Sequence, residues 1–571
     1  MPGFHLTVHA AGLPLNKAQT DEQDGSEIIF QQQNIRLKMN SYPGYPFEVF
    51  DFGEIKVLFE GMIYNRTKVE IQNFVSSICA KSEPDQKEIE NWIRSTDGEF
   101  VFVVIRLSEV KIQIFNDLFG RLPLYYTQAE GEINVSRDIA AIRASCRIID
   151  YDPFSVASSL IFGFVPGLKT LWKGIYRFTP ASLMELDTFS HQDIVIRKIY
   201  DFTERSENKE VIASELLNLL AEATQNRIRL LLNPALSLSG GLDSRLIVGI
   251  LAKNKLHIPL FTYQDEAGSA LADIESVKEM IKILAIQDQH TFFKLGNSGK
   301  TELDVLLQCK QGLNYLGMAF LVPYLKHFSD NKLQQITGDG GDKVLADLRP
   351  LVRLKNKDDF WKYLKRRHTS GSIVNILKLC SISENNYRNE LEKILFNDDS
   401  SDFDDAYIRF LLLGRAQVWL FEGEDRNRCF GWSTSPFYSP DFALKALNLP
   451  MESKAFGKIF LEMFRQLGSG LEHIPNPNWQ QSPEEQAAIR KLFFKQELKH
   501  RLPDFVQNLF ASGQSIDLHL VNPELSSMIR LASTEALFPD WFQWQTKNID
   551  WVRNEDLGWH LLTLFKLWER F

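Results

Sequence analysis

The sequence predicts a mixed fold, β-rich α+β over its first third and α/β with a parallel sheet beyond it. Three observations predict this. Before residue 200, short β-branched and aromatic runs recur, several of them alternating: Phe4–Val8, Glu48–Phe52, Ile55–Phe59, Glu99–Arg106 and Lys111–Phe115. The apolar run Ala235-Leu-Ser-Leu then leads into a Gly-Gly turn and the amphipathic segment Leu246–Lys253, and Pro259-Leu-Phe-Thr-Tyr263 reads as the next strand. Strand, loop, helix, strand is the signature of a parallel sheet. From about residue 350 the pattern is mostly helical and ends in Trp559-His-Leu-Leu-Thr-Leu-Phe-Lys-Leu-Trp568.

A helical pattern from Lys209 (Ile212, Leu216, Leu219, Leu220) leads into the glycine turn, and the proline-containing stretch Gly468–Glu485 is the best candidate for a mobile loop. The 571 residues allow two to four domains. An apolar content of 44%, with 41 phenylalanines, supports large cores. The net charge of −9 speaks against nonspecific nucleic-acid binding. Five widely spaced cysteines with no C-x-x-C support neither a disulfide framework nor a zinc site. With no signal-peptide pattern and no apolar run of membrane length, a soluble cytoplasmic protein is expected, with no membrane partner.

The string Ser239-Gly240-Gly241-Leu242-Asp243-Ser244 lies at the turn between strand and helix. Adjacent glycines let the backbone approach a ligand closely. The hydroxyls of Ser239 and Ser244 and the unpaired N–H groups of a helix N-terminus add donors, so the loop suits a polyphosphate. It lacks the lysine of a Walker loop. Asp243 would repel a phosphate oxygen unless Mg²⁺ lay between them.

At these residues the chain resembles the ATP pyrophosphatase (PP-loop) enzymes, and within them the asparagine synthetase-like group. The resemblance implies cleavage of ATP between its α and β phosphates, adenylation of a carboxylate, and displacement of AMP by an amine to give an amide. Gln335-Ile-Thr-Gly338-Asp339-Gly340-Gly341-Asp342 resembles the family's second Gly-acid-Gly-small-Asp loop. By that match Asp342 joins Asp243 on Mg²⁺, while Ser239, Gly240, Gly241, Ser244, Gly338 and Gly340 surround ATP. Asp339 stands where the family often has a Glu linked to amine activation, and is the candidate base. Gly457-Lys458 ahead of a helix resembles the segment whose lysine contacts phosphate and acyl-adenylate, though a lysine there is equally an ordinary surface charge. Asp273 matches a family acidic position or serves as a helix N-cap carboxylate.

Gly61-Met-Ile-Tyr-Asn65 and Asn116–Tyr126 resemble the glutamine amidotransferase (N-terminal nucleophile, Ntn-hydrolase-like) domain of asparagine synthetases, and Phe162–Pro166, Thr170–Tyr176 and Pro180–Met184 its exit segment. The resemblance therefore implies two domains, 1–200 and 201–571, with extra helices on the second. Family members expose Cys as the residue after Met, a nucleophile with an adjacent amine as base. Here Pro2 stands in that place. The family's Asn-Gly-Glu reads Glu60-Gly61-Met62, which sets a carboxylate where an oxyanion needs a donor. No glutaminase activity is expected.

Around Gly431-Trp-Ser-Thr-Ser-Pro-Phe437, which resembles the family's substrate-side loop, charged positions have become Trp432 and Thr434. That suggests a larger, less polar substrate than aspartate. The basic run Arg349–His368 reads either as a solvated helix face or as a guide for an acidic peptide or carrier. Three functions follow. The first is an AMP-forming amide ligase joining a carboxylate to an amine other than glutamine-derived ammonia, as in lasso-peptide macrolactam synthetases and β-lactam synthetases, with a precursor peptide as a candidate substrate and a leader protease or peptide-binding protein as a candidate partner. The second is an ammonia-dependent asparagine synthetase. The third is a nucleotide-binding scaffold without ligase activity.

Overall fold

The computed structural model describes every residue except 10–25, 33, 82–84, 110, 130, 149, 188–193, 205–206, 209, 266–270, 297–298, 397–401, 502–521, 546–547, 550–551, 553 and 571. Two six-stranded antiparallel sheets occupy its N-terminal region. One runs Tyr176–Arg177, Tyr125–Ala129, Glu132–Ser136, Gly3–His9, Ile35–Asn40, Glu27–Gln32. The other runs Val195–Lys198, Ser182–Asp187, Lys111–Asn116, Gly98–Arg106, Ile55–Ile63, Phe47–Asp51. Gly98–Arg106 is buried along its whole length, so both faces of its sheet are covered, and Phe100–Ile105 within it is accordingly an unbroken apolar run. Helices Lys68–Cys79 and Gln86–Ser95 pack there through Phe74, which stacks on Trp92 at 3.9 Å and meets Phe102 and Phe115 edge-on. The first helix starts where it does because Thr67 and Glu70 form a reciprocal capping box.

The five runs singled out in the sequence are all strands. Several of the others that complete the sheets, Glu27–Gln32 and Glu132–Ser136 among them, are short and mix polar with apolar residues, and hold through pairing to neighbours more than through local composition.

Beyond residue 200, helix Ala213–Leu230 leads into a five-stranded parallel sheet ordered His290–Leu295, Leu260–Asp265, Pro234–Ser237, Gln334–Ile336, Ser433–Thr434. The chain builds outward from Pro234–Ser237 in one direction and then reverses, pairing Gln334–Ile336 on its other side. That reversal is a topological switch point, where parallel sheets open a crevice at the C-terminal strand ends. Helix Leu242–Lys253 is buried from Leu242 through Leu251 apart from Asp243, so it is a core helix and not the amphipathic one expected. The remainder is helical and closes with Glu555–Arg570.

Gly468–Glu485 differs from the expected loose loop. Arg245 is fully buried and its guanidinium donates to the carbonyls of Leu471 (3.3 Å), Ile474 (2.7 Å) and Pro475 (3.0 Å), which ties the segment to the start of helix Leu242–Lys253. Among the described residues no helix is long and apolar enough to cross a membrane.

Candidate active site

The two glycine loops leave the C-terminal ends of the adjacent strands Pro234–Ser237 and Gln334–Ile336 and touch at backbone distance. A Cβ on Gly338 would lie 2.6 Å from the Ser244 nitrogen, and one on Gly341 would lie 2.5 Å from Oδ1 of Asp243. Gly340 adopts φ +97° against the Tyr438 ring. The contact brings the acids together: the Asp342 N–H donates to Oδ2 of Asp243 at 3.2 Å. Burial and the neighbouring Asp342 carboxylate push the Asp243 carboxyl far above its ordinary range. The ammonium of Lys343 lies against Asp342. Two converging carboxylates with a single lysine beside them are oxygen donors that fit a hard divalent cation such as Mg²⁺.

The first loop is braced from below. Asp273 Oδ1 accepts the Gly240 N–H at 2.8 Å, so this carboxylate, neither a helix N-cap nor part of the cavity wall, holds the turn in place. The Ser244 hydroxyl is 3.0 Å from both the Ser239 nitrogen and the Ser239 carbonyl and 2.9 Å from the Ser239 hydroxyl. It closes the turn and is not a free phosphate donor. The helix N-terminus that begins at Gly241 has no side-chain cap, and the Gly241 N–H makes only a long 3.4 Å contact to the Ser239 hydroxyl.

Above the loops lies a cavity of about 300 Å³ lined by Ser239, Asp243, Asp339, Glu424 and Arg426, with Tyr263 and Trp419 as aromatic walls. Asp339 is pushed up to about 6, first by burial and then by the Glu424 charge. Its own main chain is fixed by the Ser435 hydroxyl, which donates to its carbonyl at 2.6 Å. Arg426 is 4% exposed and donates to amide oxygens, Asn314 Oδ1 at 2.9 Å and Asn427 Oδ1 at 2.8 and 3.1 Å. Burial lowers its pKa to about 10, opposed by the charge of Asp339. A buried guanidinium held by neutral amides keeps its charge available to an anion. Sequence reasoning missed Arg426. Its only signal was its place in the dense charged string Glu422–Arg428.

The structure does not bring Lys458 to this cavity. Its ammonium sits at the surface, 3.2 Å from the Glu452 carbonyl. Lys454, one helical turn earlier, is the one that reaches inward, donating to the Val344 carbonyl at 2.9 Å beneath the short helix that follows the second loop. Nor do Trp432 and Thr434 face the cavity. The Trp432 indole N–H donates to Tyr64 Oη at 2.9 Å and Thr434 Oγ1 to Glu99 at 2.7 Å, so both belong to the contact with the N-terminal sheets. Their identity says nothing about substrate polarity. The basic run is likewise partly spent within the chain: Arg349 pairs with Asp347 and Glu452, Lys357 with Glu392, and Lys365 with Glu384.

In the N-terminal region Glu60 points inward and is fully buried. It accepts from the Phe4 N–H (3.0 Å), the Tyr45 hydroxyl (2.5 Å) and Arg137 Nε (3.1 Å). Arg137 fills the space beside the start of the first strand: a Cβ on Gly3 would lie 2.3 Å from the Arg137 Cβ. The same guanidinium pairs with Asp425 on helix Phe421–Asn427. Neighbouring residues of that helix thus divide. Glu422, Glu424 and Asp425 meet Arg177, Arg121 and Arg137 of the N-terminal region, while Gly423, Glu424, Arg426 and Asn427 line the cavity.

Residues 45–200 match the glutamine amidotransferase domain family. The chain is 20% identical over 283 residues to a probable glutamine-hydrolysing asparagine synthetase of Acanthamoeba polyphaga mimivirus, covering 48% of this chain and 50% of that protein. It is 24% identical over 255 residues to the human glutamine-hydrolysing asparagine synthetase, 41% of each chain. With asparagine synthetase 2 of Bacillus subtilis it shares 23% over 322 residues, 51% of this chain and 42% of that one. These likenesses support an asparagine synthetase-like family. The chain spans about half the length, or less, of the curated relatives it matches. A solved glutamine phosphoribosylpyrophosphate amidotransferase of B. subtilis, complexed with ADP and GMP, aligns over 45% of this chain and 58% of its own at 10% identity. Its TM-score of 0.22 is too low to bear on the fold.

Proposed function

We propose that this protein is an ATP-dependent, AMP-forming carbon–nitrogen ligase that does not draw its amine from glutamine. The observation that carries the reading is the contact of two glycine loops at the switch point, which sets Asp243 against Asp342 at the mouth of a cavity holding Asp339 and Arg426. Asp243 and Asp342 would hold Mg²⁺, which when bound supplies neutralising charge for the pyrophosphate leaving group. The N–H groups at Gly241 receive phosphate oxygens, and Arg426 orients the carboxylate that attacks the α-phosphorus. That attack forms the acyl–phosphate bond and breaks the α–β bridge. Asp339, with its raised pKa, takes a proton from the incoming amine, whose nitrogen then displaces AMP from the acyl carbon.

Two features support an amine other than glutamine-derived ammonia. Glu60 presents a carboxylate where an oxyanion would need a donor, and Arg137 occupies the adjoining space. An amine carried by the substrate itself, as in closure of a peptide macrolactam, is the version we favour over free ammonia. The test is to incubate the protein with ATP, Mg²⁺ and candidate carboxylates and peptides, following phosphorus species by NMR and products by mass spectrometry. AMP, pyrophosphate and a product lighter by one water support the reading. ADP with phosphate, or glutamate released from glutamine, contradicts it.

A further inference from the structure

Among the described residues there is a second cavity larger than the one described above. It is a cleft of about 960 Å³ between the edges of the two N-terminal sheets and the helices Glu384–Leu395 and Phe403–Arg409. Its walls are mainly apolar: Leu168, Tyr176, Ile194, Ile394, Phe410 and Leu413. Leu168 and Tyr176 are 43% and 40% exposed, unusual for large apolar side chains that share one concavity. The volume is that of a small-molecule site.

The charges of the cleft are unbalanced. Four cations and two carboxylates line it. Lys169 is matched by Asp152 and Glu390, and Lys198 by Asp201. Among the described residues Lys393 and Arg409 have no carboxylate partner, so two positive charges stand over an apolar floor. The floor itself is fixed. Gly414 lets the helix approach Phe164 so closely that a Cβ would lie 2.6 Å from that ring, and Gly167 does the same against Ile394 at 2.9 Å.

One element joins this cleft to the cavity of the glycine loops. Phe410–Leu420 is a continuous π-helix, a rare form frequent at functional sites. Phe410, Leu413 and Gly414 line the cleft, and Trp419 and Leu420 line the cavity. We propose that the cleft is a second binding site, for a small amphipathic carboxylate whose apolar body lies on Leu168, Tyr176 and Leu413 and whose head meets Lys393 and Arg409. The site stands independently of the ligase reading, because none of its residues belongs to the glycine loops.

The test uses the full chain and decanoate as probe, with decyltrimethylammonium of the same chain length as its cationic counterpart and a short acidic peptide as the competing class, by titration calorimetry. Decanoate is expected to bind at least tenfold more tightly than the cation. Lys393→Gln together with Arg409→Gln should erase that preference, Leu168→Asp should weaken decanoate by tenfold or more, and Arg426→Gln should leave it unchanged. Melting curves matching wild type establish that the variants are folded, and Tyr176→Ser replaces Leu168→Asp if that one is not. Equal affinity for both amphiphiles, no decanoate binding, loss of decanoate binding in Arg426→Gln, or tighter binding of the peptide at these residues would each overturn the proposal.

Discussion

Buried charge gathers in two regions of this molecule and is used in opposite ways. Around Glu60 every charge is answered: Glu60 by Arg137, Arg137 by Asp425, and Asp425 by Lys310 at 2.7 Å. A side chain fills the space where a ligand would sit. At the switch point, 99 residues separate two aspartates that face each other across glycines, and Arg426, the arginine of the cavity wall, leans on neutral amides. The first arrangement is closed and its electrostatics are spent on holding two regions together. The second is open, and of its two loop aspartates only Asp342 has a cation, Lys343, beside it. Similar residue types therefore make a scaffold in one place and a candidate site in the other, and the difference lies in whether partners and volume are already taken.

The largest expected effect comes from breaking the closed region. Arg137→Leu strands Glu60 in the interior and leaves Asp425 to Lys310, and removing one partner from a buried pair costs about 3–5 kcal/mol. A fall in the urea midpoint checks this, with unfolding as the extreme outcome. The matching change in the open region reverses the pattern. Asp243→Asn relieves repulsion with Asp342, so the midpoint should hold or rise while AMP formation is lost.

Arg426→Gln should lower AMP formation by roughly 10²-fold, the size of losing one preorganised charged donor. The melting temperature should change little, since the arginine has no carboxylate partner to strand.

How far the sequence could lead is visible in these same residues. Ser239–Ser244 was legible because its glycines, acid and hydroxyls are contiguous and a turn's geometry is local. Gly338–Asp342 was legible by the same logic, but its contact with the first loop depends on strand order, which only the fold supplies. Arg426 was not legible: its significance rests on Asn314, 112 positions away, leaving it without a charge partner. Trp432 and Thr434 were misjudged because a resemblance gives the loop but not the direction of each side chain on a two-residue edge strand. Glu60 was legible as a carboxylate at that place in the sequence, while Arg137, 77 positions on, was invisible beside it.

Asp339 gives a smaller, pH-dependent effect. Its carboxyl is held at about 6, against the ordinary 3.8, so the folded state keeps a proton that the unfolded chain has released. Its contribution to stability therefore declines as pH rises from about 4 to about 6, and Asp339→Asn should remove that decline from the melting curves. Amide formation should run the other way, rising as the base ionises through pH 6. Smallest of all is Lys458→Ala. A surface lysine outside the cavity should alter stability by within about 0.5 kcal/mol and leave AMP formation near wild type.

The account turns on the claim that the facing carboxylates of the two loops receive MgATP. Calorimetric titration of the purified chain with ATP, with and without Mg²⁺, tests this most directly, because it needs no knowledge of the acyl substrate. The account predicts Mg²⁺-dependent binding to wild type that is lost in Asp243→Asn and preserved in Lys458→Ala. Absence of binding to wild type, or equal binding to Asp243→Asn, would contradict it.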